Sequence, residues 1–193
     1  ERLAPLKLER RLGSGIHGGR IHGGRLQRNK ERIIVIQFTF GECAMPPSAD
    51  RFDSCPLCLG KAEDVLWRDA RCRIIDARHA DYPGYLRVIW EAHVAEMTDL
   101  GAADCAHLWQ VLLGTERVLR RLMSPDKVNL ASLGNMVPHL HWHVIPRYRD
   151  DAHFPDAIWA PPRRRGSSPH AVILPSATLA AALRAELGGS GAT

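Results

Sequence analysis

The sequence of 193 residues predicts an α+β fold, in which antiparallel strands pack against one long helix. Two short apolar segments flank the turn signal Pro83-Gly84, which predicts an antiparallel pair of strands. Apolar residues then recur at helical spacing between Thr98 and Met123. Two further strand-like segments follow, and the second alternates histidine with apolar residues. A chain of this length is expected to build one sizeable core, and therefore one domain.

The first 44 residues have a different character from the rest. They hold nine Lys/Arg and four Asp/Glu, whereas the remaining residues hold 17 of each, so the whole net charge of +5 lies in this segment. The segment repeats Ile-His-Gly-Gly-Arg at 16–20 and 21–25 and lacks sustained amphipathic periodicity. We predict a disordered basic extension at 1–44 and hypothesise that translation naturally begins at Met45. Because the remainder is neutral, global charge gives no argument for a nucleic-acid partner, and none is expected.

The remaining elements follow from periodicity and from turn residues. The predicted elements are strands at 72–76, 86–90, 128–132 and 139–145, a long helix within 98–123 and a short helix at 176–187. Thr98 or Asp99 can cap the long helix, and Pro125 lies just beyond its end. Three tryptophans on these elements are expected in the core: Trp90, Trp109 and Trp142.

The five cysteines do not form a disulfide pattern. Their number is odd, their density is low and no secretory signal is recognised before them, so we expect a reducing, cytoplasmic compartment. Cys72 and Cys105 fall on a strand and a helix and are interpreted as small buried apolar residues. No stretch approaches the roughly 20 apolar residues of a membrane-spanning helix, so a soluble protein without a membrane partner is expected.

The segment His139-Leu140-His141-Trp142-His143 places three imidazoles on one face of a strand, since residues two apart point to the same side. A chance cluster of polar strand residues is disfavoured by the strict alternation. Two functional interpretations remain open from the residues alone. The imidazoles can surround a zinc ion that activates water, or a neutral histidine can act as a nucleophile.

The same segment, continued by Val144-Ile145, resembles the His-φ-His-φ-His-φ-φ motif of the histidine triad (HIT) family, where φ is apolar. The resemblance covers residues 53–160 and is closest to bacterial members of the diadenosine polyphosphate hydrolase type that carry a Cys-x-x-Cys pair. It implies a sheet of about five antiparallel strands with the long helix packed on it, and a homodimer. The HIT domain is placed at 45–160, followed by a linker and a short C-terminal helix at 161–193.

The resemblance also implies catalytic and substrate-binding residues. His141 is the expected nucleophile toward the α-phosphorus of a nucleotide, and His143 is expected to contact phosphate oxygens or the leaving group. Asn135 is an expected phosphate contact, and Asn129 is expected to face the nucleotide phosphate or ribose. Asp76 is expected to accept the ribose hydroxyls. For Asp76, a simple turn role after a strand is an equal alternative. Trp159, in the segment after the triad, is expected near the leaving group.

Cys55-Pro56-Leu57-Cys58 has the spacing of half a zinc site, because two thiolates two residues apart suit one tetrahedral ion. The resemblance implies that His93 and His139 complete it as a closed Cys₂His₂ site, hence a structural zinc without a catalytic cofactor. A redox pair is disfavoured because no thioredoxin-like unit surrounds the cysteines. Two unligated thiols remain the other alternative.

The expected function is therefore hydrolysis or transfer at nucleoside 5′-phosphate conjugates, such as dinucleoside polyphosphates or phosphoramidates, through a nucleotidyl-histidine intermediate on His141. One alternative is a zinc-stabilised nucleotide-binding module with little turnover. Another is a zinc hydrolase that uses all three histidines.

Overall fold

The computed structural model describes residues 54–60 and 63–188. These residues form five strands, three α-helices and a short 3₁₀ turn. In chain order they are α1 (Pro56–Leu59), β1 (Asp64–Arg68), β2 (Cys72–Asp76), β3 (Leu86–Trp90), the 3₁₀ turn Met97–Asp99, α2 (Ala102–Met123), β4 (Lys127–Ala131), β5 (His141–Arg147) and α3 (Ser176–Leu187). The predicted α+β class, the five strands and the long helix are confirmed.

The five strands form one antiparallel sheet with the order β1-β2-β3-β5-β4. β5 therefore lies inside the sheet, between β3 and β4. Directly paired residues share a face of the sheet, and Arg87 of β3 pairs with His143 of β5. The register thus defines two faces. One carries His141, His143 and Arg87, and the other carries the apolar residues between them.

The apolar face is covered by α2 and α3. Buried residues of α2, among them Leu108, Leu112 and Leu119, pack with Val88 and Val144 of the sheet in one continuous core. α3 adds two further buried residues, Leu179 and Leu183. The helices therefore cover one face of the sheet, and the histidines lie on the other face.

The turn between β2 and β3 depends on Gly84. Its φ of +75° favours glycine, and a Cβ at this position would collide with Met123 Sδ at the end of α2. The predicted Pro83-Gly84 turn thus also sets how closely the hairpin approaches the long helix.

Three details differ from the sequence prediction. β5 begins at His141 and not at His139, because Leu140 donates its backbone N–H to Val94 outside the ladder. Residues 97–99 form a separate 3₁₀ turn, and α2 begins only at Ala102. The prediction of a buried Trp109 was wrong: its side chain is 41% exposed and contacts the ring of Trp142 at the helix surface.

The C-terminal helix lies at the predicted residues, Ser176–Leu187. The predicted extension at 1–44, the proposed start at Met45 and Cys43 lie outside the described residues, and the domain boundaries stay predictions. Among the described residues, no helix combines the length and the apolar character that crossing a membrane requires.

Candidate active site and metal centre

Two cysteines and two histidines meet at the end of the sheet where β5 begins. Cys55 is the N-cap of α1 and Cys58 lies within α1, a single turn whose αL C-cap at Gly60 folds the chain back. His139 Nδ1 lies 3.5 Å from Cys55 Sγ and 3.4 Å from Cys58 Sγ, and His93 Nδ1 lies 3.1 Å from Cys58 Sγ. One ligand atom from each of the four residues lies within 4.8 Å of all the others. The structure thus gathers a Cys₂His₂ group that could hold a metal ion.

The spacing of these atoms fits a tetrahedral ion. Zinc with bonds of about 2.3 Å to sulfur and about 2.1 Å to nitrogen separates two such ligands by about 3.6 Å. His139 also has the partner that a metal-bound imidazole normally has, since its Nε2–H donates to the carbonyl of Trp90 at 2.7 Å. That bond leaves Nδ1 as the ligand atom. Cys55, Cys58 and His139 are buried, as in a site closed to solvent.

His141 is the first residue of β5, two residues beyond His139, and its ring is fixed by the backbone. Its Nδ1–H donates to the carbonyl of His139 at 2.6 Å. A carbonyl only accepts, so the proton lies on Nδ1 and Nε2 carries the lone pair. Burial lowers the pKa of His141, and the charge of Arg87 lowers it further, against the opposing effect of the carbonyl. The ring is therefore neutral and nucleophilic near pH 7.

His143 is held by a different partner. Its Nδ1 lies 2.5 Å from the hydroxyl of Tyr85, and burial raises the pKa of that hydroxyl, so the phenol keeps its proton. Burial, followed by the charges of His141 and Arg87, lowers the pKa of His143 to about 4. The His143 ring also contacts His141, with centroids 4.9 Å apart, and Trp159, with centroids 5.2 Å apart. His143 is thus a neutral ring between the predicted nucleophile and an aromatic wall.

A cleft of about 530 Å³ opens over these two histidines. Asn135, Arg87 and Trp159 contribute polar and aromatic surface to it. Leu57, Leu133 and Met136 contribute apolar surface, with the last two on the loop between β4 and β5. A cleft with a few converging polar groups and an apolar rim is typical of a small-molecule site.

The structure separates the other predicted substrate contacts from this cleft. Asn129 shares the histidine face, but its Oδ1 accepts from the guanidinium of Arg147 at 2.6 Å. Asp76 pairs with Leu86 on the face opposite the histidines, and its Oδ1 accepts the backbone N–H of Arg78. The alternation of β2 is the reason, because it turns Asp76 toward the helix side.

The three histidines of the triad do not converge on one ion. His139 Nδ1 faces the cysteines, whereas His141 Nδ1 is bonded to a carbonyl. This arrangement argues against the all-histidine zinc hydrolase that the sequence left open.

A second group of potential ligands consists of Asp69, Cys72 and His107. Asp69 Oδ1 already accepts the backbone N–H groups of Arg71 and Cys72, and Oδ2 lies 2.7 Å from His107 Nε2. Burial, with the Asp69 charge next, raises the pKa of the Cys72 thiol far above its usual range. Both oxygens of the Asp69 carboxylate are thus satisfied within the described residues, so this group is interpreted as a turn around a carboxylate.

Comparison with known proteins agrees with this geometry. Residues 60–150 match the family model of the HIT domain. The chain therefore contains a HIT domain. The fold of this HIT domain resembles that of histidine triad proteins from Bradyrhizobium japonicum and Marinobacter aquaeolei. The first is 25% identical, with a TM-score of 0.54, over 67% of this chain and 93% of that protein. The second is 25% identical, with a TM-score of 0.51, over 65% of this chain and 88% of that protein.

Curated relatives match a shorter part of the chain. An AP-4-A phosphorylase of Mycobacterium tuberculosis is 32% identical over 78 residues, which are 37% of this chain and 40% of the relative. An asymmetrical bis(5′-nucleosyl)-tetraphosphatase of Schizosaccharomyces pombe is 26% identical over 83 residues, which are 40% of this chain and 46% of the relative. The chain thus spans less than half the length of the curated relatives it matches.

Sequence reasoning missed two residues around the histidines of the HIT domain, Arg87 in the cleft and Tyr85 beside His143. Both lie on or beside β3, which was predicted correctly but regarded only as core. A signal was available for Arg87, since it is a charged residue in the middle of the apolar run Leu86–Trp90. Tyr85 had no comparable signal, because its bond to His143 depends on how β3 and β5 pair.

Proposed function

We propose that this HIT domain is a nucleotide hydrolase or transferase that acts at the α-phosphorus of nucleoside 5′-phosphate conjugates, with His141 as the nucleophile. One observation carries the proposal: the His139 carbonyl fixes the Nδ1–H tautomer of His141, in a ring that lines the cleft. The two curated relatives, named for AP-4-A phosphorolysis and for cleavage of bis(5′-nucleosyl) tetraphosphate, support a nucleotide substrate.

The reaction takes two displacements. First, the Nε2 lone pair of His141 attacks the α-phosphorus, an N–P bond forms, and the bond from phosphorus to the leaving group breaks with its electron pair on the leaving group. Next, a water oxygen attacks the same phosphorus, the N–P bond breaks and its electron pair returns to Nε2. The water proton passes to solvent, and a nucleoside monophosphate is released. In a transferase another acceptor, such as phosphate, replaces the water.

His143 assists as a hydrogen-bond donor. When the Tyr85 hydroxyl donates to His143 Nδ1, the ring proton lies on Nε2, toward the cleft. The two neighbouring histidines then have opposite tautomers: His141 presents a lone pair and His143 presents an N–H. A donor at this position stabilises the charge that develops on the phosphoryl oxygens and the leaving group. Asn135 adds an amide beside the same phosphate.

The Cys₂His₂ group is a structural zinc site in this proposal, held by Cys55, Cys58, His93 and His139. Bound zinc would cross-link α1 to the start of β5 and so hold the His139 carbonyl that orients His141. A ribose contact from Asp76 and a phosphate contact from Asn129 stay predictions, since one faces the helices and the other is bonded to Arg147.

The domain is also proposed to form a homodimer through β4 and α2. β4 is an edge strand of the described sheet, and Trp109 and Leu113 of α2 are 41% and 44% exposed. Light scattering of the purified chain should give twice the chain mass, and a mass of one chain would contradict the dimer.

Trapping the intermediate tests the central claim. The full chain is mixed with a dinucleoside tetraphosphate labelled at the α-phosphorus and quenched within one turnover. We expect an acid-labile label on the protein, and a loss of at least about 10⁴-fold in turnover for His141→Ala. His170→Ala, an exposed histidine outside the cleft, serves as the control. Turnover with no labelled protein would overturn covalent catalysis, and binding without turnover would favour the nucleotide-binding module.

A further inference from the structure

Arg87 occupies an unusual position for a cation. It lies in the middle of β3, directly opposite His143, and its side chain lines the cleft. Paired residues on one face of an antiparallel sheet have Cβ atoms about 5 Å apart, so the guanidinium shares the space of the reacting groups. β3 is otherwise apolar, and its remaining residues Leu86, Val88, Ile89 and Trp90 are all buried.

Two other arginines on the same sheet face show how this fold neutralises such a charge. Arg73 is buried and binds Glu63 at 2.7 Å and Glu91 at 3.3 Å. Arg147 is buried as well, and binds Asp151 through two nitrogens at 2.6 Å and 2.9 Å. Each cation is thus matched by carboxylates of the chain itself, as the cost of desolvating a charge requires.

Arg87 lacks this compensation. None of the ion pairs among residues 54–60 and 63–188 involves Arg87, and its Nε is buried without a hydrogen-bond partner there. Its guanidinium carbon lies 5.8 Å from the ring centroid of Tyr85, which carries no negative charge because its phenol keeps its proton. The nearby imidazoles of His141 and His143 add no negative charge. The cleft therefore contains a half-buried cation for which residues 54–60 and 63–188 supply no carboxylate, and a bound anion would provide the counterion.

We propose that Arg87 binds the phosphate that follows the α-phosphate, and that the site is built for polyphosphate conjugates rather than for conjugates whose leaving group carries no phosphate. The inference rests on the function proposed above. With the α-phosphorus at His141, the neighbouring His143 lies on the leaving-group side, and Arg87 lies opposite His143. A guanidinium matches two oxygens of one phosphate, and such charge-assisted bonds are among the strong ones.

Kinetics with two substrates test the claim. A dinucleoside tetraphosphate presents a phosphate to Arg87, whereas adenosine 5′-phosphoramidate presents only a neutral amine as leaving group. For Arg87→Leu we expect kcat/KM to fall about 10- to 100-fold with the tetraphosphate and less than about 3-fold with the phosphoramidate. Arg87→Lys should recover part of the loss. Arg120→Leu, an exposed arginine of α2, controls for the change in net charge. Equal losses with both substrates, or no loss with either, would overturn the proposal.

A binding measurement separates this inference from the proposed activity. Calorimetry compares ADP with AMP, which differ by one phosphate and require no turnover. We expect the wild type to bind ADP at least about 10-fold more tightly than AMP, and Arg87→Leu to lose that advantage. Equal affinity of the wild type for ADP and AMP would overturn the proposed phosphate contact of Arg87, even if the protein is an active hydrolase. A retained ADP preference in a chain without turnover would support Arg87 and refute the hydrolase instead.

Discussion

The two ends of the histidine segment use the same side chain in opposite ways. At His139 both ring nitrogens are occupied, one by the Trp90 carbonyl and the other by the two cysteine sulfurs. At His141 and His143 one nitrogen of each ring is held, by a carbonyl and by a phenol, and the rings line an open cleft. Three histidines in strict alternation thus divide into a closed end, which faces the cysteines, and an open end, which faces the cleft.

The two ends differ in what can satisfy their polar side chains. The two cysteines and two histidines at the closed end face one another, so a single metal ion could bind all four. At the open end Arg87 and the two imidazoles line a cleft that a ligand can enter. A polar group without an internal partner is costly in a folded chain, and such a cost is usually found where function requires it.

The largest expected effect is loss of the ion at the closed end. Cys58→Ser should reduce the zinc content from one per chain to near zero and lower the free energy of unfolding by at least about 3 kcal/mol, because metal binding contributes directly to folding. Elemental analysis and urea denaturation measure both quantities. Cys105→Ser, a half-buried cysteine of α2, is the control. Equal metal content in the two variants would place the ion elsewhere.

Acid should lower the free energy of unfolding through His143, by a smaller amount than loss of the ion does. The folded pKa of His143, about 4, lies below its unfolded value of about 6.5, so the unfolded chain binds more protons between these values. The stabilisation from this group is therefore complete above about pH 6.5 and is lost as the pH falls toward 4, at most about 3 kcal/mol in all. The groups that face the ring are Tyr85, Arg87, His141 and Trp159.

Denaturation of the wild type and of His143→Gln at pH 7 and pH 4.5 isolates this contribution. The difference in free energy of unfolding between the wild type and His143→Gln should be smaller at pH 4.5 than at pH 7, because only the wild type carries the buried imidazole. Loss of metal affects both chains and cancels in the difference. A gap that does not depend on pH would contradict the lowered pKa, and exposed His79→Gln should behave as the wild type does.

The smallest effect expected concerns the tautomer of His143. Tyr85→Phe removes the hydroxyl and should lower kcat about 10-fold with little change in KM, since the lost bond is worth about 1 kcal/mol. The ¹⁵N shifts of the imidazole should report a mixture of tautomers in the variant and one tautomer in the wild type. Tyr148→Phe is matched to it, because that hydroxyl is also buried but donates to the Met123 carbonyl. Unchanged ¹⁵N shifts in Tyr85→Phe would rule out the positioning role.

Local patterns predicted most of the fold. β2 and β3 have the predicted bounds, and so does α3, because each is defined by its own periodicity and flanking turns. The Cys₂His₂ group was also predicted as four residues, and the structure brings all four together. The contacts that the sequence could not predict depend on pairing between distant segments. Arg87 meets His143 only through the register of β3 with β5, and the bond between Asn129 and Arg147 joins two different strands.

Trp159 gives the cleft an optical signal. Its indole is 51% exposed and touches the ring of His143, whereas Trp67 and Trp90 are buried. A half-exposed indole emits at longer wavelength than a buried one. A nucleotide that enters the cleft removes water from that indole, so its emission should shift to shorter wavelength as the site fills. The protein thereby carries its own fluorophore, and ligands can be titrated without labelling, with Trp159→Phe as the blank.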